Sequence, residues 1–141
     1  MDDAIAKSKF DYLFIQFYNS PYCSAYQLVR PDGGSRVRRA SGMNLEDWQT
    51  FASQGKSAGA KLFVGLPASG AASTGEDSGA KFYLTPDELV TAAEQMKKMD
   101  GFSGIRLWDA GNSDGNVEGG CTYAQQVSSV LEKGVACVEG V

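Results

Sequence analysis

The chain has 141 residues, a net charge of −4 and no histidine. That length fits one domain, and 43% hydrophobic with 21% charged residues argues against disorder. The missing imidazole excludes Ser-His-Asp and Cys-His catalysis and the H-E-x-x-H zinc site, so acid–base chemistry must come from Asp, Glu, Tyr, Lys or Cys. A nucleic-acid partner is not expected, because there is no basic excess to neutralise phosphates, and the small basic run Arg36, Arg38 and Arg39 reads as a solvated loop. No apolar run approaches the ~18 residues of a membrane span. Residues 1–9 are mixed and polar, with no signal peptide visible. Cys23, Cys121 and Cys137 form no C-x-x-C pair, which argues against a zinc ribbon or a thioredoxin-like motif. Their odd number leaves at least one thiol unpaired within the chain.

Residues 11–17, D-Y-L-F-I-Q-F, are short, apolar and aromatic and predict a buried strand. Residues 18–42 carry Pro21, Pro31, Gly33, Gly34 and Gly42 and predict a long loop. Asn44 is placed to cap a helix with Asp47 three residues on, and Leu45, Trp48, Phe51 and Ala52 follow at helical spacing up to Gly59. A second buried strand is expected at residues 61–66, K-L-F-V-G-L, and a Gly/Ala/Ser-rich loop at 67–81. Thr85-Pro86-Asp87-Glu88 combines a capping box with proline at the first helical position, so Asp87 and Glu88 belong to the cap rather than to chemistry. Leu89, Ala93 and Met96 give that helix an apolar stripe, and Asp100-Gly101 stops it. Residues 103–108, S-G-I-R-L-W, predict a third strand, followed by a polar, Gly-rich loop to Gly120 and a last helix from about Thr122 to Lys133.

Apolar strands alternating with amphipathic helices imply an α/β fold with a parallel sheet in one domain, residues 1–141. Ligand sites in such folds lie at the strand C-terminal ends. Gln16-Phe17-Tyr18-Asn19 and Trp108-Asp109 fall at those ends. Taken alone, Gln16 could be a satisfied core amide, Tyr18 an aromatic whose hydroxyl meets water, Trp108 a core indole and Asp109 a loop cap. Asp114, Asn116 and Glu118 are spaced like calcium ligands but lack the glycine of an EF-hand loop, so a solvated loop is expected there. No metal or cofactor is implied.

Residues 10–23, F-D-Y-L-F-I-Q-F-Y-N-S-P-Y-C, resemble the sixth barrel strand of glycoside hydrolase family 18, in particular its single-domain plant class III and fungal chitinases. K-L-F-V-G-L-P-A-S at 61–69 resembles strand seven, G-I-R-L-W-D-A at 104–110 strand eight, and Y-A-Q-Q-V-S-S-V-L at 123–131 the closing helix. The resemblance implies the C-terminal part of a TIM (β/α)8 barrel, with three of its parallel strands alternating with helices. A whole barrel needs roughly 250 residues. It also implies hydrolysis of β-1,4-N-acetylglucosamine linkages in chitin by substrate-assisted catalysis, in which a Glu protonates the leaving oxygen and the acetamido carbonyl attacks the anomeric carbon. The family's D-x-x-D-x-D-x-E motif occurs nowhere in this chain, so inactivity alone is expected. A non-catalytic, lectin-like binder of chito-oligosaccharides is the alternative.

Alternate strand residues share a face, which sets Phe14, Gln16 and Tyr18 opposite Leu13, Ile15 and Phe17. By the resemblance, Tyr18 is the catalytic position present, donating its hydroxyl to the N-acetyl oxygen at subsite −1. Gln16 and Asn19 would bind the same sugar or its neighbours, and Trp108 would floor it. Two departures stand out: Arg106, where the family usually has methionine inside the barrel, and Ser20 in place of a common second asparagine. A guanidinium in an apolar core costs several kcal/mol unless paired. Cys23 matches a family cysteine whose partner is absent here, so a free thiol is expected. A Cys121–Cys137 disulfide is not expected: an intervening helix of ~12 residues is ~18 Å long, and the three or four residues beyond it return only ~10–13 Å. Three strands cannot close a barrel, so bare edges would favour self-association or pairing with a chain that supplies further strands. The family resemblance implies an extracellular location.

Overall fold

The computed structural model describes residues 2–20, 22–30, 43–73 and 80–140. Its centre is a three-stranded parallel sheet of β1 (Tyr12–Gln16), β2 (Lys61–Pro67) and β3 (Phe102–Trp108), in the order β1-β2-β3. Helices α1 (Asp2–Lys7), α2 (Leu45–Ser53) and α3 (Pro86–Met96) precede the three strands in turn. After β3 come α4 (Ala110–Gly115), a short antiparallel pair β4 (Val117–Glu118) and β5 (Cys121–Thr122), and α5 (Tyr123–Lys133). The α/β class and the three parallel strands are those expected, and each strand lies within one residue of its expected bounds.

The period-two pattern decides which side of the sheet is covered. In β1, Leu13 and Ile15 are buried while Tyr12, Phe14 and Gln16 are exposed. Leu62, Val64 and Leu66 of β2 are fully buried, together with Leu89, Ala92 and Met96 of α3. Burying a Leu or Val side chain contributes roughly 1.5–3 kcal/mol, so this layer is a substantial source of stability. The other face keeps only an aromatic strip, in which Phe63 meets Tyr12 at 6.0 Å and Phe14 at 5.4 Å between ring centroids.

Local signals act unequally. At α3 the capping box forms as expected: the Glu88 N–H donates to Thr85 Oγ1 at 3.4 Å, and the Thr85 N–H donates to Glu88 Oε2 at 3.0 Å. At α2 the expected asparagine cap is absent. Asn44 makes no capping bond with its side chain, and only its carbonyl accepts, from the Trp48 N–H at 3.3 Å. Helix α2 also stops at Ser53 rather than Gly59, because the chain turns against α1, where the Lys56 N–H donates to Ala6 O at 3.1 Å. The first residues fold as α1, and Ile5 is buried. The long loop after β1 holds a 3-10 turn at Ala25–Leu28, and the loop after β2 another at Gly70–Ala72. The stretch expected as a solvated loop after β3 is α4 and the β4–β5 pair. The basic run Arg36, Arg38 and Arg39 lies outside the described residues.

One expectation is overturned. Cys121 and Cys137 form a disulfide with Cα atoms 6.1 Å apart. Gly134 takes the left-handed conformation, φ 75°, at the end of α5 and turns the chain back along the helix. The returning tail is clamped by Gln126, which accepts from the Cys137 N–H at 2.7 Å and donates to Cys137 O at 3.0 Å and Glu118 O at 2.9 Å. The tail therefore lies level with the first turns of α5, and the remaining gap is within the ~7 Å that a disulfide spans. Cys23 is the free cysteine.

Arg30 ties the loop after β1 to α3. It donates to Glu88 Oε1 at 2.5 Å, to Glu88 Oε2, and to the carbonyls of Lys81 at 3.1 Å and Tyr83 at 3.3 Å.

Two outcomes are expected in chemical denaturation. Replacing both Cys121 and Cys137 by serine should lower stability by about 3 kcal/mol, the value for a closed loop of this size, and reductant should reproduce the loss in the wild type. The Arg30 hydrogen bond holds the Glu88 carboxyl below its ordinary range. This contribution is full above the unfolded carboxyl value of ~4.3 and is lost as pH falls through the lower folded value. Glu88→Gln should accordingly cost about 1 kcal/mol near neutrality, and the gap from wild type should narrow as pH falls below the ordinary carboxyl value of ~4.3.

Candidate functional site

The strand register builds a cleft at the C-terminal end of the sheet. Gln16 of β1 pairs with Gly65 of β2, and Gly65 pairs with Arg106 of β3. These three residues lie in one row, and side chains of one row share a face. Gly65 contributes no side chain, so the row has a gap at its centre, flanked by an amide on one side and a guanidinium on the other. The gap is also enforced by packing, since a Cβ on Gly65 would sit 2.7 Å from Ile15 O.

The resulting cleft has a volume of about 530 Å³ and is lined by Phe14, Gln16, Tyr18, Asn19, Arg106 and Trp108, with Ala72 and Ser73 on the β2 side. Gln16, Tyr18, Asn19 and Trp108 are therefore brought together, whereas Phe17 is buried in the core and Asp109 does not line the cleft. Tyr18 is 4% exposed and Trp108 47% exposed, so the phenol is set into the wall while much of the indole remains open.

Each group is held. Gln16 Nε2 donates to Tyr18 O at 3.1 Å, fixing the amide beside the turn that carries Tyr18. Asn19 adopts φ 62°, a left-handed conformation that asparagine tolerates better than most residues. Its Oδ1 accepts from the Ser73 hydroxyl, which joins the loops after β1 and β2. Trp108 is fastened through its backbone, whose carbonyl accepts from the Ala68 N–H at 2.8 Å. Asp109 caps α4, with Oδ1 accepting from the Asn112 N–H at 2.9 Å and from Asn112 Nδ2 at 3.1 Å. Those hydrogen bonds hold its carboxyl below the ordinary range. Asn112 Oδ1 in turn accepts from Ser69 Oγ at 3.0 Å. Asn116 Nδ2 donates to Ala68 O and to Tyr83 Oη, both at 2.9 Å.

The Arg106 guanidinium does not enter an apolar core. It is half-buried in the cleft and lies over the Trp108 ring, 5.0 Å from its centroid. No Asp or Glu lines the cleft among the described residues. Nor do the described residues hold any group of three or more His, Cys, Asp or Glu that could ligate a metal. Ser73 escapes the sequence reading, because a serine in a Gly/Ala/Ser-rich loop carries no periodic signal.

No protein-family profile matches the chain. Among curated proteins it is 41% identical to Endochitinase 2 of Metarhizium robertsii, over 94% of this chain and 30% of the relative. It is 37% identical to Endochitinase A of Aspergillus niger, over 93% of this chain and 10% of the relative. It is 35% identical to Endochitinase A1 of Aspergillus fumigatus, over 93% of this chain and 15% of the relative. The chain is similar to fungal endochitinases over nearly its whole length.

The chain thus spans between 10% and 30% of the length of these endochitinases. The likeness covers nearly all of this chain, so it includes both loops that form the cleft as well as the buried layer. Three consecutive strands with their helices match the repeat from which a (β/α)8 barrel is assembled, and the homology fits a partial barrel.

The gap at Gly65 can be tested directly. Gly65→Ala should force β1 and β2 to shift at Ile15 and cost about 1–3 kcal/mol in urea denaturation. A neutral effect would mean that this contact is loose.

Proposed function

We propose that this chain is the substrate-holding part of a family 18 glycoside hydrolase domain, corresponding to barrel strands six to eight, and that its cleft binds chito-oligosaccharides. The observation that carries the proposal is the convergence of Gln16, Tyr18, Asn19 and Trp108 on one cleft at the strand C-terminal ends, in a chain related to endochitinases. The half-open indole suits the C–H face of a pyranose ring, which stacks on a large flat apolar surface. In this reading the Tyr18 hydroxyl donates to an acetamido carbonyl, and Gln16 and Asn19 line the same cleft beside it.

In the complete domain these contacts would hold the acetamido group of a β-1,4-linked N-acetylglucosamine while its carbonyl oxygen attacks the anomeric carbon. A carboxylic acid must then protonate the leaving oxygen. The D-x-x-D-x-D-x-E segment that would supply it is not in this sequence, and no carboxylate lines the cleft among the described residues. We therefore assign the chain binding without turnover. The same observation favours the second reading, a lectin-like protein that uses Tyr18 and Trp108 for recognition alone.

Two further assignments belong to this reading. The exposed Tyr12 and Phe14, beside a strand edge that pairs with nothing among the described residues, favour self-association or pairing with a chain that continues the sheet. An extracellular location is supported by the Cys121–Cys137 disulfide, since such bonds persist in oxidising compartments. No helix among the described residues is long and apolar enough to cross a membrane.

Titration with chitotetraose, followed by tryptophan emission, tests the proposal. Saturable quenching or a blue shift is expected at up to millimolar ligand. Trp108→Ala should abolish it, and Tyr18→Phe should weaken binding about fivefold to tenfold, the worth of one hydrogen bond. No response from the wild type would refute sugar binding. Release of shorter oligosaccharides by the pure chain would refute the absence of turnover.

A further inference from the structure

We propose that Arg106 sets the charge preference of the cleft, favouring saccharides with neutral acetamido or anionic substituents and disfavouring those with a free ammonium group. This deepens the saccharide reading above and rests on it.

Arg106 is the one charged residue among the described residues that line the cleft. Its wall-mates Gln16, Tyr18, Asn19 and Ser73 offer dipoles only. The ion pairs among the described residues are Lys7–Asp3 and Arg30–Glu88, and neither involves Arg106. The carboxylate nearest in sequence, Asp109, has one oxygen committed to Asn112. The guanidinium carries five N–H donors and no acceptor. It lies over the Trp108 ring, 5.0 Å from the centroid, and makes no side-chain hydrogen bond among the described residues.

A sugar laid across the gap at Gly65, beside the guanidinium, therefore meets a fixed positive charge. An acetamido oxygen or a carboxylate accepts from it. An ammonium can only be repelled, and two unit charges ~5 Å apart at a partly buried site change binding by about tenfold or more. The chain's overall charge of −4 would attract cations from a distance, but that field is screened beyond ~8–10 Å. Within the cleft the local guanidinium prevails.

The test uses the full chain and three tetramers on one β-1,4 backbone: fully N-acetylated, fully deacetylated, and N-acetylated with 6-O-carboxymethyl groups. Tryptophan emission is followed at about pH 5, where the free amines are protonated. The carboxymethylated tetramer should bind most tightly and the acetylated one next, with the deacetylated one at least about tenfold weaker. Arg106→Lys, which keeps the charge, should preserve that order. Arg106→Met should still bind the acetylated tetramer but bring the carboxymethylated one to within about twofold of it, and should recover part of the deacetylated binding. The acetylated and deacetylated ligands also differ in contacts to Tyr18, so the carboxymethylated arm isolates charge. Should the methionine variant not fold, the wild type in about 0.5 M salt gives the same decision, because screening should narrow the spread. An order unchanged by Arg106→Met, or by salt, overturns the inference while leaving sugar binding intact. Failure of the wild type to bind any tetramer overturns both.

Discussion

The covered face of the sheet governs the rest of the molecule. Leu62, Val64 and Leu66 are fully buried in the central strand, with Leu13 and Ile15 buried beside them in β1. Because side chains alternate along each strand, fixing this layer against the helices fixes the opposite row as well. Gln16, Gly65 and Arg106 are left facing away from the core in register. The cleft is thus a by-product of core packing. A one-residue slip in any strand would exchange its two faces and remove the cleft along with the core.

The loops convert that row into a shaped site. The bond from Ser73 to Asn19 spans the loops after β1 and β2, and the series Ser69–Asn112–Asp109 spans those after β2 and β3. Each loop is thereby tied to its neighbour by side chains rather than by sheet pairing. Both links sit next to a cleft residue, since Asn19 follows Tyr18 and Asp109 follows Trp108. These polar contacts help position the two aromatic groups, leaving much of the Trp108 indole open while the Tyr18 ring stays buried in the wall.

Much of this is legible in the sequence because the signals are local. The apolar strands, the Thr85–Glu88 cap and the placement of polar aromatics at strand ends each depend on residues within a few positions of one another. What escapes depends on contacts between distant segments. The first helix is polar in composition and is held by the burial of Ile5. The asparagine before α2 has the right chemistry for a cap, yet makes no such bond. A Gly-rich stretch after β3 looks unstructured until Asp109 caps α4 and Ser113 Oγ accepts from the Ala124 N–H at 2.9 Å. For the cysteine pair, helix length was the wrong measure. The decisive feature is the reversal at Gly134, with Gln126 gripping the returning strand of chain.

That grip bears on the sulfur bridge. Gln126 binds both the N–H and the carbonyl of Cys137 and also the carbonyl of Glu118, so one buried amide aligns both ends of the link by backbone contacts that need no oxidised sulfur. Of the three thiols, Cys23 stands on a different loop and is not part of this alignment. The same closure is thus held twice, once through backbone groups that Gln126 grips and once through the sulfur bridge.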